Sequence, residues 1–169
     1  MGMYGNFFRT DELTVLRLQK GKANLFELMY DENGQVRESS CLFEVDKAWH
    51  AIHFTLSGQV YESTDDPLSK VVLSPNLVND EDVAGYGPAM LKTPKEVAQI
   101  NDALGAVSQQ WFAERFSLAE MLANQVYPIM SGEDEELFFE YVYEQNFVPL
   151  KAFYEEAAKN GQYVLFCVI

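Results

Sequence analysis

Tyr163-Val164-Leu165-Phe166-Cys167-Val168-Ile169 closes the chain, and its reading decides the fold. Apolar residues alternate onto both faces of this run, the pattern of a strand buried on both sides rather than one half open to water. A second short, aromatic strand is expected over residues 3–8, at the other end of the chain. Between the two, helix punctuation dominates. Strands at both ends with helices massed between them predict α+β architecture in a single domain over residues 1–169. The expected sheet is small and mostly antiparallel, includes the N- and C-terminal strands, and is packed with several helices.

Working inward, Thr10 is expected to cap a helix that begins at Asp11-Glu12 and ends near Gly21, its acidic first turn suiting the helix dipole. Leu25, Phe26, Leu28 and Met29 predict a short second helix ahead of the turn Asp31-Glu32-Asn33-Gly34. Residues 36–45 are ambiguous, with a strand expected around 41–44. The segment Asp46-Lys47-Ala48-Trp49-His50-Ala51-Ile52-His53-Phe54-Thr55-Leu56-Ser57-Gly58 holds both histidines. Asp46 reads as the N-cap of a central helix and Gly58 as the glycine that ends it. Trp49, Ile52, His53 and Leu56 fall on one face, with His50 and Phe54 flanking it.

Asp66-Pro67 repeats a cap-then-proline start and predicts a shorter helix through Val72. Residues 74–87 read as a long loop, the natural place for a functional segment. Thr93-Pro94-Lys95-Glu96 is a capping box with proline at the first helical position, followed by Val97, Ile100, Leu104 and Val107 on one face. Ser117-Leu118-Ala119-Glu120 has the same form and leads to a helix broken at Tyr127-Pro128. Acids at 133–136 open a further helix, and Pro149 opens or kinks the last one, which ends at Asn160-Gly161.

Charge narrows the function classes. Twelve Lys and Arg stand against 26 Asp and Glu, a net charge of −14. A field of that sign repels phosphate backbones, so no nucleic-acid partner is expected, whereas encounter with a basic protein is favoured. Arg9, Asp11 and Glu12 interrupt the N-terminus before any long apolar run, and no stretch reaches the roughly 18 apolar residues of a membrane span. Cys41 and Cys167 do not make a disulfide framework. A cytoplasmic location without membrane association is expected.

The motifs also carry a resemblance. The opening Met1-Gly2-Met3 with Gly5, the core from Asp46-Lys47 through Trp49, Ile52-His53-Phe54, Leu56 and Gly58, and Asp66-Pro67-Leu68-Ser69 resemble the bacterial YfbM-like family. Tyr86-Gly87-Pro88, Thr93-Pro94-Lys95-Glu96-Val97, Tyr127-Pro128 and the terminal helix-Gly161-strand are similar too, so the likeness runs end to end. It implies a small cytoplasmic α+β protein, a domain of unknown function. It implies no catalytic residue, cofactor or substrate.

Chemistry must therefore be sought in the residues themselves. Asp46, His50 and His53 recur along one side of the central helix, but no third committed ligand completes a zinc set, and no metal or cofactor is expected. His53 is the sharper residue, either a general base or polar anchor in a pocket walled by Trp49 and Tyr86, or a core histidine bonded to a carbonyl or to Asp66. Asp66 and Ser69 could present a carboxylate and a hydroxyl at a helix start, yet capping explains both. Gly85-Tyr86-Gly87-Pro88 lacks the Lys-Ser/Thr pair of a Walker loop and reads as a turn whose glycines adopt positive φ. No serine sits in a Gly-x-Ser-x-Gly elbow.

The favoured expectation is an acidic binding or interaction protein, with a basic protein or a small molecule as partner. The alternative is an enzyme or small-molecule sensor with a pocket around Trp49, His53, Asp66, Ser69 and Tyr86, in which His53 and Asp66 are the candidate catalytic pair. An interaction module should seal His53 in the core; an enzyme should aim His53 and a carboxylate into one cleft.

Overall fold

A computed structural model describes residues 2–35, 37, 39–129 and 132–169. Met1, Val36 and Glu38, which entered the reading of the N-terminus and of the stretch before the second strand, lie outside the described residues. The closing strand is the key to the architecture. It runs antiparallel between two partners in a four-stranded sheet whose order is second, first, last, fifth in the chain. In chain order these are β1 (Gly5–Thr10), β2 (Leu42–Glu44), β5 (Met90–Lys92) and β6 (Tyr163–Val168), with a small hairpin of β3 (Val83–Ala84) and β4 (Gly87–Pro88) beside them.

Alternation along β6 divides the molecule into two packed layers. Val164 and Phe166 join Phe7 in the larger core, together with residues of helices α3 (Trp49–Ser57), α4 (Pro94–Gly105), α7 (Glu135–Val142) and α8 (Val148–Lys159). Leu165 and Cys167 face the other way, against α1 (Glu12–Gln19) and α2 (Leu25–Met29). This is the single α+β domain expected from the two terminal strands, and both ends of the chain meet in it: Gly5 pairs with Val168, and Thr10 with Tyr163.

Several local expectations are corrected. The first strand lies two residues later than residues 3–8, so Thr10 ends β1 and Asp11 caps α1, its carboxylate accepting from Thr14 N–H at 2.8 Å. Asp46 does not cap α3, whose N-cap is Ala48 without a side-chain bond. Asp46 instead has φ 46°, and its carboxylate accepts from Tyr141 Oη at 2.9 Å while Lys47 N–H donates to the same phenol at 3.1 Å. Burial, and then Asp46, push the Tyr141 pKa up, so the phenol stays a donor. Tyr141→Phe is expected to lower stability by about 1–2 kcal/mol, because a bond to a carboxylate is lost; the urea midpoint at neutral pH reads this out, and an unchanged midpoint contradicts it.

The cap-then-proline start at Asp66 holds, but the helix is a 3₁₀ turn (Pro67–Lys70) and stops short of Val72. The long loop over 74–87 is partly ordered by strand pairing, with Leu77 bridged to Met90 and β3 paired with β4. Within its turn Gly85 has φ 72°, whereas Gly87 does not take a positive φ. A helix absent from the sequence reading, α5 (Gln109–Arg115), is capped by Ser108 and precedes α6 (Leu118–Ala123). Its seven residues are too few for a legible period around Phe112.

Candidate functional site

A cleft with apolar walls lies at the end of β6 where α3, the β3–β4 hairpin and the N-terminal segment meet. Met3, Trp49, Tyr61, Tyr86, Met90 and Phe166 shape it, around a volume of about 240 Å³. That is below the roughly 300–1,000 Å³ of pockets that take drug-sized ligands, so it suits a small group or one side chain.

Each wall has a local cause. Trp49 opens α3, and Gly5 lets the first turn of that helix lie directly on β1, since a Cβ at Gly5 would come within 2.7 Å of Trp49 Cβ. The indole Nε1–H donates to the Met3 carbonyl at 3.1 Å, and Met3 N–H donates to Tyr127 Oη at 2.9 Å, so both sides of Met3 are pinned. Tyr86 is presented by the hairpin turn: its N–H donates to the Val168 carbonyl at 2.9 Å. A Cβ at Gly85 would lie 2.5 Å from that same carbonyl oxygen, so only glycine permits the approach. Tyr61 and Tyr86 remain 64% and 59% exposed at the mouth, while Trp49 is 5% exposed at its base.

His50 supports the cleft from behind. Its ring stacks on Trp49 (centroids 4.8 Å apart, 9° between planes) and is tilted against Tyr61 (4.8 Å, 32°). Nδ1 accepts from Tyr127 N–H at 3.0 Å, which puts the proton of the neutral ring on Nε2, and that N–H donates to the Val60 carbonyl at 2.7 Å. Burial lowers the His50 pKa, and the bond to Val60 partly opposes this.

The other sequence-selected residues lie elsewhere. His53 is fully buried, and its Nε2–H donates to the Glu62 carbonyl at 3.0 Å, not to Asp66. Its Nδ1 is, among the described residues, the buried side-chain polar atom without a hydrogen-bond partner. Burial pushes its pKa down to about 4, against the Glu62 bond and with help from His50 and Lys92. Asp66 accepts from Leu68 N–H at 3.0 Å, and Ser69 Oγ accepts from Thr64 N–H at 2.8 Å and donates to the Asp66 carbonyl at 2.8 Å. Trp49 and Tyr86 are thus brought together, and His53, Asp66 and Ser69 are not among the residues lining that cleft.

No group of three His, Cys, Asp or Glu side chains is placed to hold a metal ion among the described residues. Nor, among them, is any helix long and apolar enough to cross a membrane.

Sequence reasoning missed Lys92 and Tyr61. Lys92 is fully buried in β5, on the same sheet face as Met90, with Nζ–H donating to the Val72 carbonyl and lying over the rings of Phe7 (5.7 Å) and Phe166 (5.4 Å). Burial pushes its pKa down to about 7. A lysine just before a capping threonine reads as surface, so nothing local flagged it. Tyr61 sits in a polar stretch, where one aromatic residue gives no periodic signal.

Comparison with known proteins bears on the fold and the family. The profile of a family described as domain of unknown function (DUF1877) matches residues 1–167. A crystal structure of a protein of unknown function, YfbM from Escherichia coli, is similar with a TM-score of 0.75 and 22% identity, covering 99% of this chain and 100% of that one. At that identity the likeness speaks for the fold. No curated protein matches the chain.

Proposed function

The chain belongs to the DUF1877 family of unknown function, and from that premise we propose that it is an acidic binding protein which seats a small group between Trp49, Tyr61 and Tyr86. One observation carries this reading: the cleft is walled by aromatic and thioether side chains, and no carboxylate, imidazole or ammonium is among its lining residues. The proton-bearing groups in the lining are two phenols and the Cys167 thiol, which burial pushes up to about 12, so the walls suit holding a group better than acid–base work near neutral pH. The two histidines and Asp66 are engaged elsewhere, His50 with Val60 and Tyr127, His53 with Glu62 and Asp66 with Leu68. Exposed tyrosines around a buried tryptophan are also the residue types that dominate binding energy at recognition sites.

The test uses Trp49 as its own reporter. The chain has two tryptophans, and Trp111 sits on α5 outside the cleft lining, so Trp111→Phe leaves Trp49 alone. A panel of small aromatic and aliphatic fragments is expected to change Trp49 emission saturably. Tyr86→Ala is expected to weaken the best fragment by about tenfold, as loss of one aromatic anchor does. A response untouched by both Tyr61→Ala and Tyr86→Ala would remove the reading.

A further inference from the structure

Resting on that reading of the cleft, we propose that the group it takes is an organic ammonium, an alkylated amine held against the faces and edges of Trp49, Tyr61 and Tyr86. Four aromatic side chains, these three and Phe166, line one small space. Aromatic rings carry negative potential on their faces, and cations bearing methyl groups exploit both this and the apolar surface. Met3 and Met90 add polarizable thioether walls, which suit a soft, weakly hydrated cation as well as a hydrocarbon.

Charge decides between the two. The chain carries a net charge of −14, and Glu62 adjoins the mouth tyrosine Tyr61. Glu62 accepts from Tyr61 N–H through Oε2 at 3.3 Å, whereas Glu81 and Asp82 line a separate surface pocket, where Asp82 accepts from Leu25 N–H at 3.3 Å. A cation is therefore drawn to the mouth and an anion repelled. No lining residue is cationic, so an ammonium meets no like charge at contact. The buried amine of Lys92 lies behind Phe166, and its lowered pKa, about 7, limits its opposition at neutral pH.

The volume of about 240 Å³ fits a trimethylammonium headgroup with a short stem better than a large amine. That chemistry reaches a protein from two sources, a free quaternary amine or a methylated lysine side chain on another protein.

The experiment compares choline with 3,3-dimethylbutan-1-ol, which has the same shape and one carbon in place of the charged nitrogen. A trimethyl-lysine peptide is compared with its unmodified form. All four probes are titrated into the Trp111→Phe protein by Trp49 emission, with calorimetry as a check. The expected result is binding of the ammonium probe at least about tenfold tighter than its neutral or unmethylated counterpart, the weight of about 1.4 kcal/mol.

Tyr86→Phe should keep that preference and Tyr86→Leu should abolish it, with circular dichroism unchanged in both. Tight binding of the peptide without choline, or of choline without the peptide, identifies the source and supports the proposal either way. Equal binding of choline and dimethylbutanol, with no preference for the methylated peptide, overturns the ammonium while leaving the cleft reading intact. No response to these probes or to any fragment overturns both.

Discussion

Lys92→Met is expected to make the protein more stable by about 2 kcal/mol at pH 6, an unusual direction for a change in a packed core. The lysine is fully buried, its ammonium beside the touching rings of Phe7 and Phe166 and bonded to the Val72 carbonyl. Its pKa falls from the ordinary 10.5 to about 7. At roughly 1.4 kcal/mol per pH unit, that difference is a penalty of about 5 kcal/mol when the folded amine is charged.

Below pH 7 both folded and unfolded chains hold the proton and the full penalty stands. Between about pH 7 and 10.5 the unfolded chain holds a proton that the folded chain has released, so stability rises with pH across that window. Methionine keeps the length and the apolar stem but leaves the Val72 carbonyl unpaired and removes the contact with two rings, which returns about 2–3 kcal/mol of the gain. Urea denaturation at pH 6 and pH 9 measures the effect. The advantage of the variant should shrink at the higher pH, and a variant less stable than the parent at pH 6 would refute the burial argument.

His53→Gln is expected to remove most of one acid limb of stability without touching the cleft. The ring stays neutral in the fold until about pH 4, while the unfolded chain takes up its proton near the ordinary 6.5. Stability is therefore lost as pH falls through that interval, by roughly 3 kcal/mol from this group. Glutamine cannot titrate there, so the difference in stability between pH 7 and pH 4 should contract by about that amount in the variant. At pH 7 the variant should be about 1–2 kcal/mol less stable, because the donor to the Glu62 carbonyl is less well placed and the packing changes. Since His53 does not line the cleft, fragment affinity at Trp49 should remain within about twofold. A large loss of affinity with intact stability would instead put His53 in a binding site.

Legibility in the sequence followed the range of the interaction. Thr93 and Glu96 form the full capping box because both partners lie within one helical turn, so spacing alone specifies them. Gly58 ends α3 in the left-handed region at φ 68° for the same local reason. Asp46 looked like an equally good cap, but Tyr141, 95 residues away, claims its carboxylate. The helical face drawn through Trp49, Ile52, His53 and Leu56 was not selective either, since every residue from Trp49 to Leu56 is buried. Amphipathic period identifies a face only when another face meets water.

The candidate site divides in the same way. The sequence puts Trp49 and Tyr86 around a pocket that holds His53; the two line a common cleft, and His53 is not among its lining residues. Met3, Tyr61 and Phe166 join them from three separate segments, and nothing in their local patterns announces it. By itself the sequence determined the α+β class, the terminal strands, the caps at Asp66, Thr93 and Ser117 and the acidic field, because these depend on short-range spacing or on charge that simply sums. The tertiary structure decided which side chains converge. Antiparallel pairing of the two chain ends carries Met3 to Trp49 and the hairpin turn to the end of β6, and it sets Lys92 against the paired rings of Phe7 and Phe166. Such placements arise from packing across the whole chain, where the partner of a residue is set by the register of distant strands and not by its neighbours in sequence.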